Sequence, residues 1–124
     1  MKLPSKVSQS ESLARYLTHQ NHYSSLNNSV KPAAFQPPPS LRLSVFRIDE
    51  LTIEEVWEIG QVNVVNIYGF ANIKASAVYE KNLDTDPDNN PPRHADIVGW
   101  PQEKSERKLI AQELAAKATL RLRD

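Results

Sequence analysis

Apolar and polar residues alternate with a period of two over residues 41–48. Leu41, Leu43 and Val45 fall on one side of an extended chain, Arg42, Ser44 and Phe46 on the other. This pattern predicts a strand. It also puts Arg47 in phase with the apolar set, where an arginine either snorkels out of the core edge or reaches a carboxylate. A second extended stretch covers residues 61–75, with Ile67, Gly69, Ala71 and Ile73 alternating with Tyr68, Phe70, Asn72 and Lys74. Gly69 marks a bulge or bend within it. A short apolar strand around His94–Val98 ends at Gly99-Trp100-Pro101.

Between these strands the period changes to that of a helix. Thr52-Ile53-Glu54-Glu55 matches a capping box, Ile53, Val56 and Trp57 share a face, and Gly60 supplies a left-handed stop. A helix over 53–59 follows, with Trp57 as its core anchor. Ser76 caps a short helix over 77–81. The longest helix is predicted over 101–122, opening at Pro101, with Ile110, Ala111, Leu114, Ala115, Ala118 and Leu122 as its apolar stripe. Leu109, Ala116 and Leu120 form a second stripe, a candidate contact with the N-terminal arm or another subunit.

Residues 1–40 read differently, being rich in Ser, Asn, Gln and Pro. Leu13, Tyr16 and Leu17, at i, i+3 and i+4 after Ser10, predict a helix over 11–20. Asn27-Asn28-Ser29 breaks it, and Pro37-Pro38-Pro39 is stiff polyproline II. This stretch reads as a partly ordered arm, with Phe35 as the anchor if it docks on a partner. The expected architecture is an arm over 1–40 with a short helix and a Pro-rich linker, then one α+β domain over 41–124. In that domain a small sheet of three to four short strands packs against a long C-terminal helix. A core so small calls for self-association or a protein partner.

The charge distribution narrows the classes. The formal net charge is zero, but residues 1–48 set Lys2, Lys6, Arg15, Lys31, Arg42 and Arg47 against Glu11 alone. Residues 49–100 are strongly acidic, with only Lys74, Lys81 and Arg93 in opposition. An acidic centre argues against general nucleic-acid binding, which needs a basic surface to neutralise phosphates. No apolar run approaches the ~20 residues of a membrane-spanning helix. The N-terminal lysines have no hydrophobic stretch behind them, unlike a secretory signal. The chain has no cysteine, which removes disulfides and thiolate chemistry and suits the cytoplasm.

Candidate chemistry is sparse, and no cofactor or metal is expected. Three glycines, at 60, 69 and 99, make no phosphate-cradling loop. Asp84-Thr85-Asp86-Pro87-Asp88 starts like a calcium loop. Asn89 then stands where the turn glycine belongs, and Ala95 where a bidentate glutamate is required, so a solvated acidic turn accounts for it. His19 and His22 lie in the arm as solubilising histidines. His94 and Asp96 share one face of a strand after Arg93; an imidazole beside a carboxylate suits general acid–base work, but the preferred reading is structural, with His94 capping the strand and Asp96 paired with Arg47 or Arg93.

The stretches Val30-Lys31-Pro32 with Phe35, Leu43-Ser44-Val45-Phe46-Arg47, Glu55-Val56-Trp57 with Gly60, and Arg93-His94-Ala95-Asp96-Ile97-Val98-Gly99-Trp100-Pro101 resemble a group of small bacterial proteins with no established activity. The resemblance covers most of residues 30–120 and implies a bacterial, cytoplasmic source without a mechanism. Two functions are therefore carried forward. The first is an accessory protein acting through protein–protein contacts, with Phe35, Leu109, Ala116 and Leu120 as contact residues. The alternative is a small hydrolase or transferase using His94 with Asp96, and Arg47 or Arg93 as anion holder.

Overall fold

Ser12–Leu17, expected within a helix, is a strand (β1) inside the sheet. Its Leu13, Ala14, Tyr16 and Leu17 are all buried, so both faces are covered and the usual apolar–polar alternation is lost. The apolar positions 13, 16 and 17 then imitate helical spacing. The structure, a computed structural model, describes residues 3–123.

Tyr23–Ser24 (β2) and Ser29–Val30 (β3) form a small ribbon, and Pro32–Phe35 is a single 3-10 turn. Leu43–Arg47 (β4), Ile53–Asn63 (α1), Gly69–Lys74 (β5), Ala75–Tyr79 (α2), Asp84–Asp86 (β6), His94–Val98 (β7), Lys104–Lys117 (α3) and Thr119–Leu122 (β8) follow. Six strands make one sheet in the order β6-β7-β4-β1-β5-β8, antiparallel throughout. The expected sheet of three to four strands with a partly ordered arm is thus corrected. The fold is α+β, with a six-stranded antiparallel sheet, a two-stranded ribbon and a 14-residue C-terminal helix. Strands come from both sides of residue 40.

Two other strands were hidden. Asp84–Asp86 lies in the stretch expected to be an acidic loop; its carboxylates decorate a sheet edge, where charge discourages further pairing. The expected helix over 101–122 starts later, after Glu103, and ends at Lys117, where Ala118 turns extended (φ −82, ψ 151). Leu120 and Leu122 belong to β8, which pairs with β5. A strand of four residues directly after a helix is too short to announce its own period.

Helix α1 begins as expected, with both halves of the Thr52/Glu55 capping box formed. It runs on to Asn63, through Gly60. That glycine is no stop signal: a Cβ there would lie 2.7 Å from the Tyr16 ring and 2.6 Å from Ile67. Its absence lets the helix settle on Tyr16, whose hydroxyl donates to the Val56 carbonyl. Gly69, at the start of β5, allows a similar approach, since a Cβ would sit 2.3 Å from the Arg121 carbonyl oxygen.

In every strand of the sheet but β8, the antiparallel register sorts residues by parity. Odd-numbered residues such as Leu13, Val45, Ile73 and Ile97 join Leu114 of α3 and Phe35 in the larger core. Even-numbered Ala14, Tyr16, Phe46 and Phe70 lie under α1, where Trp57 meets Phe70 edge-on at 5.1 Å. Arg47, an odd position, is wholly buried. Its Nε and Nη2 donate to the two Glu11 oxygens at 2.8 and 2.9 Å; Nη1 and Nη2 donate to the carbonyls of Pro4 and Lys6 at 2.8 and 3.2 Å. One guanidinium thereby fastens residues 4–11 to the sheet.

Two outcomes follow. In hydrogen exchange, amides of β1 should be protected as strongly as those of β4, since both are interior strands; fast exchange over residues 12–17 would contradict the strand order. The second concerns Glu11. Burial alone would raise its pKa, but hydrogen bonds from Arg47 and the Ser8 N–H, with the charges of Arg47 and Arg93, hold it below the usual carboxylate range. A depressed folded pKa gives stability that is present above the unfolded pKa and lost as pH falls through the folded value. Glu11→Gln should cost about 3–5 kcal/mol in urea melts at neutral pH, and the gap to wild type should close below about pH 4.

Candidate functional site

The even-numbered side of the sheet changes character toward its β6 edge. Register pairs Ser44 with Asp96 and Phe46 with His94, and Asp86 with Asp96. Arg42 and Asp88 lie two residues beyond Ser44 and Asp86, in the same phase. Six polar side chains therefore gather on one face, beyond the apolar residues under α1.

Their bonds are specific. His94 Nε2 lies 2.7 Å from Ser44 Oγ, and His94 Nδ1 lies 2.8 Å from Asp88 Oδ1. Arg42 donates from Nε to Asp96 at 3.0 Å and from Nη2 to Asp86. Asp96 Oδ1 stands 3.6 Å from His94 Nε2. The His94 and Asp96 side chains are each 13% exposed, while those of Arg42, Asp86 and Asp88 are about half exposed, so the cluster is open to solvent on its outer side. The Phe46 ring meets the imidazole edge-on at 5.3 Å, linking its orientation to the core beneath α1.

The proton positions follow from the charges. The His94 hydrogen bond, more than any other cause, holds the Asp88 carboxyl below its ordinary pKa, with help from the Asn90 N–H. An ionised carboxylate can only accept, so Nδ1 carries the hydrogen. In the neutral ring Nε2 is then the acceptor, and the Ser44 hydroxyl must donate to it.

Local structure holds these groups in place. Arg15 donates from Nη1 to the Ser44 carbonyl at 3.1 Å and from Nε to the Ala34 carbonyl at 2.8 Å. It does so just past Ala14 and Phe46, where the register pairs of β1 with β4 end. Arg93, directly before His94, holds a left-handed backbone (φ 73), and so does Leu41 before Arg42 (φ 58). Non-glycine residues in that region cost roughly 1–3 kcal/mol each and tend to collect at functional sites. Arg93 is pinned by its Nη1 bond to the Arg47 carbonyl at 3.0 Å.

Several expected site residues are elsewhere. His94 and Asp96 do lie side by side, but Arg47 points to the opposite face and belongs to Glu11. The carboxylate that orients the imidazole is Asp88, not Asp96. Phe35 is fully buried and Leu120 nearly so, which leaves only Leu109 and Ala116 of the expected contact residues exposed. His22 is buried beside His19; burial first, then Arg15 and His19, push its pKa down to about 4. Ser44 went unremarked as a partner of His94. Its signal was its polar phase with Arg42 on β4, meaningful only once β7 is paired in register.

Asp88, His94 and Asp96 each offer one ligand atom within 4.8 Å of the others. However, the two carboxylates lie at different ring nitrogens, and Asp96 already holds a guanidinium. The arrangement is a hydrogen-bonded chain rather than a cation cage.

A second feature is a cleft of about 470 Å³ between α1 and the chain just before β7, lined by Leu51, Glu55, Glu58, Ile59, Val62, Asn63, Pro92 and Arg93. Val62 is 80% exposed, and Val65 just beyond the helix 78%. Helix α1 carries Glu54, Glu55 and Glu58 and no basic residue. Among the described residues, no helix is long and apolar enough to cross a membrane. No family model, curated protein or solved structure matches the chain.

The proton assignment is testable by the ring 15N shifts of His94. Nδ1 should be the protonated nitrogen in the neutral ring, unchanged in Asp96→Asn and lost as a single tautomer in Asp88→Asn. A protonated Nε2 in the wild type would reverse the direction of the chain.

Proposed function

We propose that this protein is a cytoplasmic accessory protein that works through protein–protein contact, receiving a basic, apolar segment of its partner in the cleft along α1. The observation that supports this reading is the pairing of two widely exposed valines, Val62 and Val65, with a helix whose charges are all acidic. Scattered exposed apolar residues are normal. Here Val62 lines a cleft with apolar walls, Leu51, Ile59 and Pro92, bordered by Glu55 and Glu58 with Arg93 at its far side, and Val65 lies just beyond the helix. A partner side chain with an aliphatic stem and a cationic tip suits such a surface.

The energetics point to a transient contact. Burying two valines contributes about 3–6 kcal/mol at roughly 1.5–3 each. Lost translational and rotational freedom costs an estimated 4–15 kcal/mol. Charge complementarity adds rate and selectivity more than affinity. The two valines alone do not offset that cost, so the contact is weak and relies on further surface being covered.

Titration with a short synthetic peptide alternating Leu and Lys, followed by amide shifts, should move residues 55–63 and 92–93 first. Glu58→Lys and Val62→Ser should each weaken the response, and a Leu/Glu peptide should give none. Equal binding of both peptides, or shifts spread over the whole surface, would overturn the reading. A dimer by sedimentation that Val62→Ser dissociates would assign the face to a second copy instead.

A further inference from the structure

The polar cluster on the uncovered edge of the sheet supports a chemical activity separate from docking. We propose that Ser44 is a nucleophile, activated by His94 and Asp88, that accepts an acyl group from a carboxylic ester. The three side chains are linked in the order that such chemistry needs. A serine hydroxyl donates to one imidazole nitrogen at 2.7 Å, and the other nitrogen donates to a carboxylate at 2.8 Å. The carboxylate fixes the tautomer, leaving Nε2 free to take the hydroxyl proton.

Each member is held by something other than the chain it forms. The Ser44 backbone is fixed within β4 and by Arg15. The His94 ring rests on Phe46, and Asp88 also accepts from the Asn90 N–H at 3.2 Å. Nucleophile and base both stand on strands, which position groups more closely than loops do. Asp96, 3.6 Å from Nε2, gives the imidazolium a second negative neighbour once it forms. Arg42, held against Asp96 and Asp86, offsets the negative charge of these two carboxylates beside the site.

The steps balance without a cofactor. Ser44 Oγ bonds to the carbonyl carbon as its proton passes to His94 Nε2. The bond from carbon to the alkoxy oxygen then breaks, and Nε2 returns the proton to the departing alcohol. Water attacks the carbonyl carbon of the acyl group as its proton passes to Nε2, which then gives that proton to the departing Oγ. The Oγ–carbon bond breaks, releasing a carboxylic acid and restoring the hydroxyl.

A fluorophosphonate probe tests this directly, because Oγ attack on phosphorus expels fluoride and leaves a stable adduct. Intact-mass measurement on the full chain should show one adduct, mapped by peptide sequencing to Ser44. Ser44→Ala should take up none, while Ser40→Ala should react as the wild type does. Asp88→Asn, with folding checked by near-UV dichroism, should react at least about 100-fold more slowly, because the imidazole base loses the carboxylate that fixes its tautomer. A folded wild type that takes up no probe would overturn the proposal, as would labelling that persists in Ser44→Ala. Labelling should proceed at the wild-type rate whether or not the Leu/Lys peptide is present. That outcome separates this activity from the docking reading, since either can fail alone.

Discussion

The fold depends on where β1 lies. Three strands, β6, β7 and β4, stand on one side of it, and β5 and β8 stand on the other. Without β1 the sheet would be two fragments, each with an open edge and half a core. The strand is short, and its register against β4 spans only Leu13↔Arg47 and Ala14↔Phe46 before the two diverge. The Arg47–Glu11 pair fixes the chain at the beginning of β1, and Arg15 takes over where the β4 ladder ends, donating to the Ser44 carbonyl. Two arginines of opposite surroundings thus bracket the pairing. One answers a carboxylate, the other answers backbone carbonyls alone, and burial lowers the pKa of the second to about 10, which still leaves it charged at neutral pH.

What the amino-acid pattern revealed follows from how each element is buried. β4 and β7 were legible because each alternates over most of its length, Leu43 and Val45 against Arg42 and Ser44, and Ala95 and Ile97 against His94 and Asp96. The start of α1 was legible because Thr52 and Glu55 form a purely local cap. β1 was not, since burial on both faces erases alternation and leaves Leu13, Tyr16 and Leu17 at helical spacing. β8 was not, because Leu120 and Leu122 extend the apolar stripe of α3 without a break in composition. Gly60 misled for a related reason. A glycine at a helix end and a glycine under a tyrosine ring look alike until Tyr16 is placed.

The site was half legible. His94 and Asp96 alternate within one strand, so their common face could be read locally. Their partners come from chain segments far away, and parity alone connects them. An antiparallel ladder that pairs Ser44 with Asp96 must put Arg42, Ser44 and Phe46 on the side of His94 and must send Arg47 to the other. Shifting the ladder by one residue would exchange Ser44 for Val45 and bring an apolar side chain to the imidazole. Nothing in residues 41–48 or 93–98 taken singly decides that register. It is decided by the odd-numbered residues, which must enter the larger core together.

The same residue types serve different ends on the two faces. Arg47 with Glu11 and Arg42 with Asp96 are both arginine–carboxylate pairs. The first is buried, with its donors on a carboxylate and two carbonyls, so losing one partner leaves a charge that water cannot reach. The second pair lies at an open edge, where solvent screens the attraction and takes over when a partner is lost. Stability therefore rests on Arg47 and not on Arg42. A polar cluster that the fold does not rely on can meet demands other than folding. Ser44, His94 and Asp88 occupy such a place: they are fixed in position by neighbours that the core holds rigid, and they lie at an edge where the sheet is not covered.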